Sequence, residues 1–157
     1  MRDVTICAQL DGRMPDEVYA LLAKFEDYPR YGNAILGVTV SPLAEPGLYA
    51  VHWETRFREG ILRWSEEDRF DATRRVIEFR QTAGDIDEFF GSWQVSRAGA
   101  GTQVRFSATF SLGIPSLEEF LEPVAQGLLI ENIKSVLTGF FGGEVVFADP
   151  HADGCVR

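Results

Sequence analysis

From residue 35 to residue 111 the chain is a succession of strand-length segments, each closed by a turn signal. A run at 35–41 comes first; "LYAVHWETRF" and "ILRWSEEDRF" then face each other across Glu59-Gly60. "RRVIEFRQT", "DEFFGSWQVSR" and "TQVRFSATFSL" follow, the last two joined by "AGAG". Strands joined in order by short turns form an antiparallel sheet. One long helical pattern comes next, "PSLEEFLEPVAQGLLIENIKSVLTGFF", in which Leu117, Phe120, Leu121, Val124, Leu128 and Ile133 recur near the helical period. The sheet has an apolar face to bury, and this helix must pack on it. A curved sheet gripping a single helix leaves a cavity between them.

The remaining elements are short. "DVTICAQ" alternates like a first strand, giving seven in all. Pro15 and the acids after it open a helix over "MPDEVYALLAKF". "EDYPRYGN" reads as a second helical turn or a loop, broken at Pro29. Ser116 with Glu119 resembles a capping box, Pro123 and Gly127 are kink sites, and Gly142-Gly143 ends the long helix. The expectation is one domain over 1–147 and a flexible tail over 148–157.

The hairpin fixes which side chains meet. A two-residue loop at Glu59-Gly60 pairs Phe57 with Leu62, Thr55 with Trp64 and Trp53 with Glu66. Paired residues share a face, so Trp53, Thr55, Phe57, Leu62, Trp64, Glu66, Asp68 and Phe70 point one way. His52, Glu54, Arg56, Arg58, Arg63, Ser65, Glu67 and Arg69 point the other, a solvent face of mixed charge. Glu66 and Asp68 are therefore inward-facing acids in a strand. Either they sit near the strand's mouth end, partly solvated or paired with an inward arginine, or they line a pocket as proton donor and acceptor. Phe89, Gly91, Trp93 and Val95 share an inner face, as do Val104, Phe106, Ala108 and Phe110. In "RRVIEFRQ", Ile77 and Phe79 compete with Val76, Glu78 and Arg80 for the inside, and alternation leaves that open.

Composition removes several classes of function. A net charge of -9 and a pI of about 4.7 repel nucleic acid and anionic membranes. No segment is apolar for long enough to span a bilayer, and the N-terminus lacks the apolar core of a signal peptide. Two cysteines, Cys7 and Cys155, make no disulfide framework; they fit a reducing cytoplasm, with Cys7 a small buried hydrophobe. The two histidines form no cluster with cysteine, and neither a nucleophile elbow nor a phosphate loop is present. Chemistry here falls to carboxylates, Arg, Tyr, Asn and the shape of a pocket.

"FEDYPRY", "RWSEEDRF", "RRVIEFRQTAGDIDEFFGSW", "GTQVRFSATFSL" and the helix containing "ENIKSVL" together resemble the polyketide cyclase/aromatase group. This group belongs to the START-like, Bet v 1-like helix-grip superfamily, which also holds coenzyme Q-binding proteins. The resemblance covers about residues 3–141. It implies an α+β helix-grip fold: a seven-stranded antiparallel sheet curved around a long C-terminal helix, with two short helices and a deep hydrophobic pocket. It implies aldol closure and dehydration of a poly-β-keto chain, offered free or on an acyl carrier protein, with no metal or cofactor.

Residue by residue, the resemblance carries over to Tyr28, Trp64 with Glu66 two residues on, Trp93, and Asn132 on the helix. It also carries over to Arg80, which favours Glu78 and Arg80 inward. It departs at Asp68, where aromatases place an arginine. The candidate catalytic residues are Asp68, Glu66 and Arg80, with Asp68 or Glu66 as base. Tyr28, Trp53, Trp64, Phe89, Trp93, Phe106 and Asn132 are candidates for substrate binding. The competing readings are a non-catalytic carrier of a quinone or lipid and a protein-interaction module of the same fold, as monomer or homodimer.

Overall fold

The computed structural model describes residues 1–148, apart from the side chains of Ser116 and Leu117. Strand β1 (Arg2–Leu10) leads into helix α1 (Pro15–Leu22), a 3-10 turn (Phe25–Asp27) and helix α2 (Tyr28–Tyr31). Strands β2 (Ile35–Pro42), β3 (Leu48–Phe57), β4 (Gly60–Asp71), β5 (Val76–Gly84), β6 (Glu88–Ala98) and β7 (Gly101–Ser111) follow as a meander. Helix α3 (Pro115–Phe141) and strand β8 (Val145–Ala148) complete the described chain. The strands form one sheet in the order β2-β3-β4-β5-β6-β7-β1-β8, antiparallel throughout.

The sheet has eight strands rather than the expected seven. After Gly142, at φ +73°, the chain turns back and Val145–Ala148 pairs with Cys7–Leu10 of β1. The backbone beyond the helix is thus held in the sheet up to Ala148, and the rest of the expected tail lies outside the described residues. Cys7 is buried as expected, and Cys155 lies outside the described residues. Among the described residues no helix is long and apolar enough to cross a membrane.

The inner face of the sheet follows from alternation. Along β7, Val104, Phe106, Ala108 and Phe110 are all buried, and along β6 so are Phe89, Trp93 and Val95. The β3–β4 hairpin turns at Arg58-Glu59 instead of Glu59-Gly60, with Arg58 in the left-handed region at φ 57°. Trp53 therefore pairs with Trp64, and Val51 with Glu66. The register differs from expectation by two residues, one full strand period, so Trp53, Trp64, Glu66 and Asp68 keep their predicted face.

Helix α3 departs further from its sequence pattern. Its cap position is Ile114 rather than Ser116, and Pro115 opens it. Its buried apolar residues are Ile133, Val136, Leu137 and Phe141, all in the C-terminal half, where Val136 is 0% exposed. Phe120 is 72% exposed and Val124 39%, so these two members of the helical period do not face the core, while Leu128 lines the space beneath the helix. What is buried there is Glu122, which accepts a hydrogen bond from the Leu112 backbone N–H at 3.1 Å. The C-terminal half anchors the helix, and the N-terminal half covers a space.

Gly91 sets how closely β6 approaches its neighbours. A Cβ there would lie 2.0 Å from the Ser107 carbonyl oxygen and 2.9 Å from Cζ of Phe79. Gly91→Ala is expected to destabilise the fold by about 2–3 kcal/mol, the upper part of the overpacking range, because the nearest clash is with backbone. Urea unfolding measures it, and a change under about 0.5 kcal/mol contradicts this account.

Candidate functional site

Between the sheet and α3 lies a cavity of about 140 Å³. That is smaller than the ~300–1,000 Å³ typical of pockets for drug-sized ligands, and smaller than a poly-keto substrate requires without side-chain movement. Exposure falls steadily along one face of β4. Leu62 is half-buried near the rim, Trp64 is 8% exposed, Glu66 4% and Asp68 0%. The acids thus occupy the deep end, not a solvated mouth.

The two acids differ in their partners. Glu66 lies between two indoles: the Trp53 Nε1–H donates to its Oε1 at 2.8 Å and the Trp64 Nε1–H to its Oε2 at 2.9 Å. The cross-strand pairing of Trp53 with Trp64 puts both donors within reach, their rings stacked with centroids 6.5 Å apart. Asp68 has no such support, and neither of its oxygens meets an N–H or hydroxyl donor. Its polar neighbours are the Glu66 carboxyl and the Tyr28 phenol. The Tyr28 O–H is already committed, donating to the Leu22 carbonyl at 2.6 Å.

Burial and, second, the charge of Glu66 push the Asp68 carboxyl up to about 10, so Asp68 is protonated at neutral pH and shares that proton with Glu66. Burial also raises Glu66, against the lowering effect of hydrogen bonds from Asp68, Trp64 and Trp53. Tyr28 is pushed well above its ordinary value, first by burial and then by Asp68 and Glu66. The floor of the cavity is therefore a protonated Asp68 carboxyl beside Glu66, whose own ionisation is opposed by burial and favoured by its hydrogen bonds.

Of the residues singled out from sequence, Tyr28, Trp53, Trp64, Glu66, Asp68, Phe89, Trp93, Phe106 and Asn132 all line this cavity. Arg80 does not. In the β4–β5 register Asp68 lies opposite Phe79 and Phe70 opposite Ile77, so Ile77 and Phe79 share the inner face. Arg80 is exposed on the outer face, its guanidinium 4.7 Å above the Phe90 ring. No arginine or lysine is salt-bridged to Glu66 or Asp68 among the described residues.

Asn132 faces the cavity but is occupied. Its Oδ1 accepts from the Ala34 N–H at 3.3 Å and its Nδ2 donates to the Leu128 carbonyl at 3.0 Å, fastening α3 to the start of β2. Phe25 and Phe79 also line the pocket and were not singled out as site residues. Alternation had kept Phe79 as an open choice, and nothing local marks Phe25. Near the rim, Arg56 lines the cavity from the end of β3. Among the described residues no group of three or more His, Cys, Asp or Glu could hold a metal.

The family model described as "Polyketide cyclase / dehydrase and lipid transport" matches residues 12–136. A Thermus thermophilus protein of known structure, TTHA0849, is similar over 88% of this chain and 94% of its own, at 27% identity and a TM-score of 0.78. The Zhui aromatase/cyclase of a Streptomyces species matches 88% of this chain and 92% of its own, at 20% identity and a TM-score of 0.75. A START superfamily protein from Mycobacterium smegmatis matches 89% and 95%, at 13% identity and a TM-score of 0.70. At such identities the last two show a shared START-like fold. No curated protein matches the chain.

Because the native Asp68 pKa is raised, folding takes up a proton wherever the unfolded carboxyl is ionised. The stability this group contributes is complete below pH ~4, declines through neutrality, and is lost as pH passes the folded value of about 10. The decline is at most ~1.4 kcal/mol per pH unit. Asp68→Asn removes that proton uptake. Its stability relative to wild type should therefore rise between pH 5 and pH 7, by up to ~2–3 kcal/mol. Parallel pH dependence of the two proteins in denaturant unfolding contradicts a protonated Asp68.

Proposed function

The chain belongs to the polyketide cyclase / dehydrase and lipid transport family, and within it we propose a cyclase or dehydratase that closes a hydrophobic poly-keto substrate by acid–base chemistry at Asp68 and Glu66. One observation carries the reading: a fully buried, proton-holding Asp68 stands beside Glu66 on the floor of an aromatic cavity. Packing alone gives no reason for it, since an apolar side chain fills such a position at lower cost.

The two groups take distinct roles. Asp68 is the proton donor, not the base. A neutral carboxylic acid in an apolar site can donate to a substrate carbonyl as negative charge develops on its oxygen. Glu66, the ionised partner, takes the proton from the carbon next to that carbonyl. An enol forms, with one proton moved from carbon to Glu66 and one from Asp68 to oxygen. Attack of the enol carbon on a second carbonyl makes the C–C bond. The enol proton returns to Asp68, and the new alkoxide takes the one held by Glu66. A second abstraction by Glu66, with Asp68 protonating the leaving hydroxyl, expels water. The proton on Glu66 then passes to Asp68 and restores the pair. The aromatic walls hold the chain for the productive closure, and positioning of this kind contributes several kcal/mol. The substrate, offered free or on an acyl carrier protein, requires the N-terminal half of α3 or the rim to move outward.

A second reading, a non-catalytic carrier of a hydrophobic molecule, is favoured by a different observation. Arg80 is outside and Asn132 and Tyr28 are already hydrogen-bonded, so few polar groups are left to position a substrate. Product analysis with a reconstituted polyketide synthase separates the two. Asp68→Asn and Glu66→Gln are expected to lower turnover by about 10²–10⁴-fold. Glu67→Gln, on the outer face, leaves it unchanged. Identical product profiles for wild type and all three variants exclude the acid–base role and leave the carrier.

A further inference from the structure

We infer that the deep end of the cavity binds an organic cation, the protonated amine of a small aromatic ligand, held by Asp68 and Glu66 within the indole and phenyl rings around them. The inference rests on reading the cavity as a ligand pocket, not on cyclisation.

Charge balance leads to it. Glu66 and Asp68 are two acids buried side by side, and buried acids are ordinarily paired with a cation or held by donors. Neither acid is salt-bridged to a guanidinium or ammonium among the described residues. The two indole N–H donors satisfy Glu66, but both oxygens of the fully buried Asp68 lack a donor from the protein. A ligand that brings N–H donors and a positive charge supplies both missing partners at once.

The walls point the same way. Phe25, Tyr28, Trp53 and Trp64 all line the cavity, with ring centroids 5.1 Å apart for Phe25 and Tyr28, 5.4 Å for Phe25 and Trp53, and 5.7 Å for Tyr28 and Trp53. Electron-rich ring faces attract an ammonium most strongly when water is excluded. A carboxylate-bearing ligand meets repulsion at the same place. The cavity volume of about 140 Å³ suits a single-ring amine without rearrangement of the fold.

The test compares three ligands of one shape: phenethylamine, phenethyl alcohol and hydrocinnamate, which are cationic, neutral and anionic at neutral pH. Calorimetric titration of the full chain is expected to show the amine binding at least about tenfold more tightly than the alcohol, with the acid weakest. Asp68→Asn keeps the shape and should reduce the amine's advantage over the alcohol to less than about threefold. An alcohol that binds as tightly as the amine in the wild type overturns the inference and leaves the pocket reading standing. Binding of none of the three overturns both. An amine preference that persists undiminished in Asp68→Asn places the cation elsewhere and overturns the assignment to this acid.

Discussion

Two indole N–H groups hold the Glu66 carboxylate inside an apolar cavity, and the chemistry of the site depends on that interaction. A carboxylate taken out of water needs charge-assisted donors. Trp53 and Trp64 provide one for each oxygen, from neighbouring strands locked side by side by the hairpin register. Asp68, two residues along, stays protonated first because it is buried and second because Glu66 stands beside it. The pair is a consequence of strand geometry, since residues i and i+2 share a face.

Much of this was legible in the sequence because a strand's side-chain period is two. The turn of the β3–β4 hairpin was misplaced by one residue and the register by two, yet Glu66 and Asp68 were placed inward correctly. Nine of the ten residues singled out as catalytic or binding line one cavity. The exception, Arg80, shows where alternation fails. Residues 76–80 offer apolar side chains on both parities, and the decision lies in long-range pairing, with Phe79 opposite Asp68. A likeness to an arginine-containing pocket tipped the choice the wrong way.

Other features were illegible for other reasons. In the N-terminal half of α3, Phe120 and Val124 belong to the apolar pattern yet are exposed, because periodicity records which residues could be buried, not whether anything lies opposite them. Strand β8 is four residues long and gains its order from the edge of β1, a partner distant in sequence. Asn132 was rightly placed on the pocket side, but the hydrogen bond it accepts from the Ala34 N–H makes it a fastening between α3 and the start of β2.

The Arg58-Glu59 turn separates two properties that are usually tied together in a binding protein: how tall the vessel is and what lines it. Adding or removing one residue on each arm of β3 and β4 next to that turn lengthens or shortens the rim, while all pairs below it keep their partners and faces. The hairpin behaves like a telescoping collar on a fixed base. Descendants of such a chain can change the length of molecule they enclose in small steps without disturbing the indole-held acid pair below.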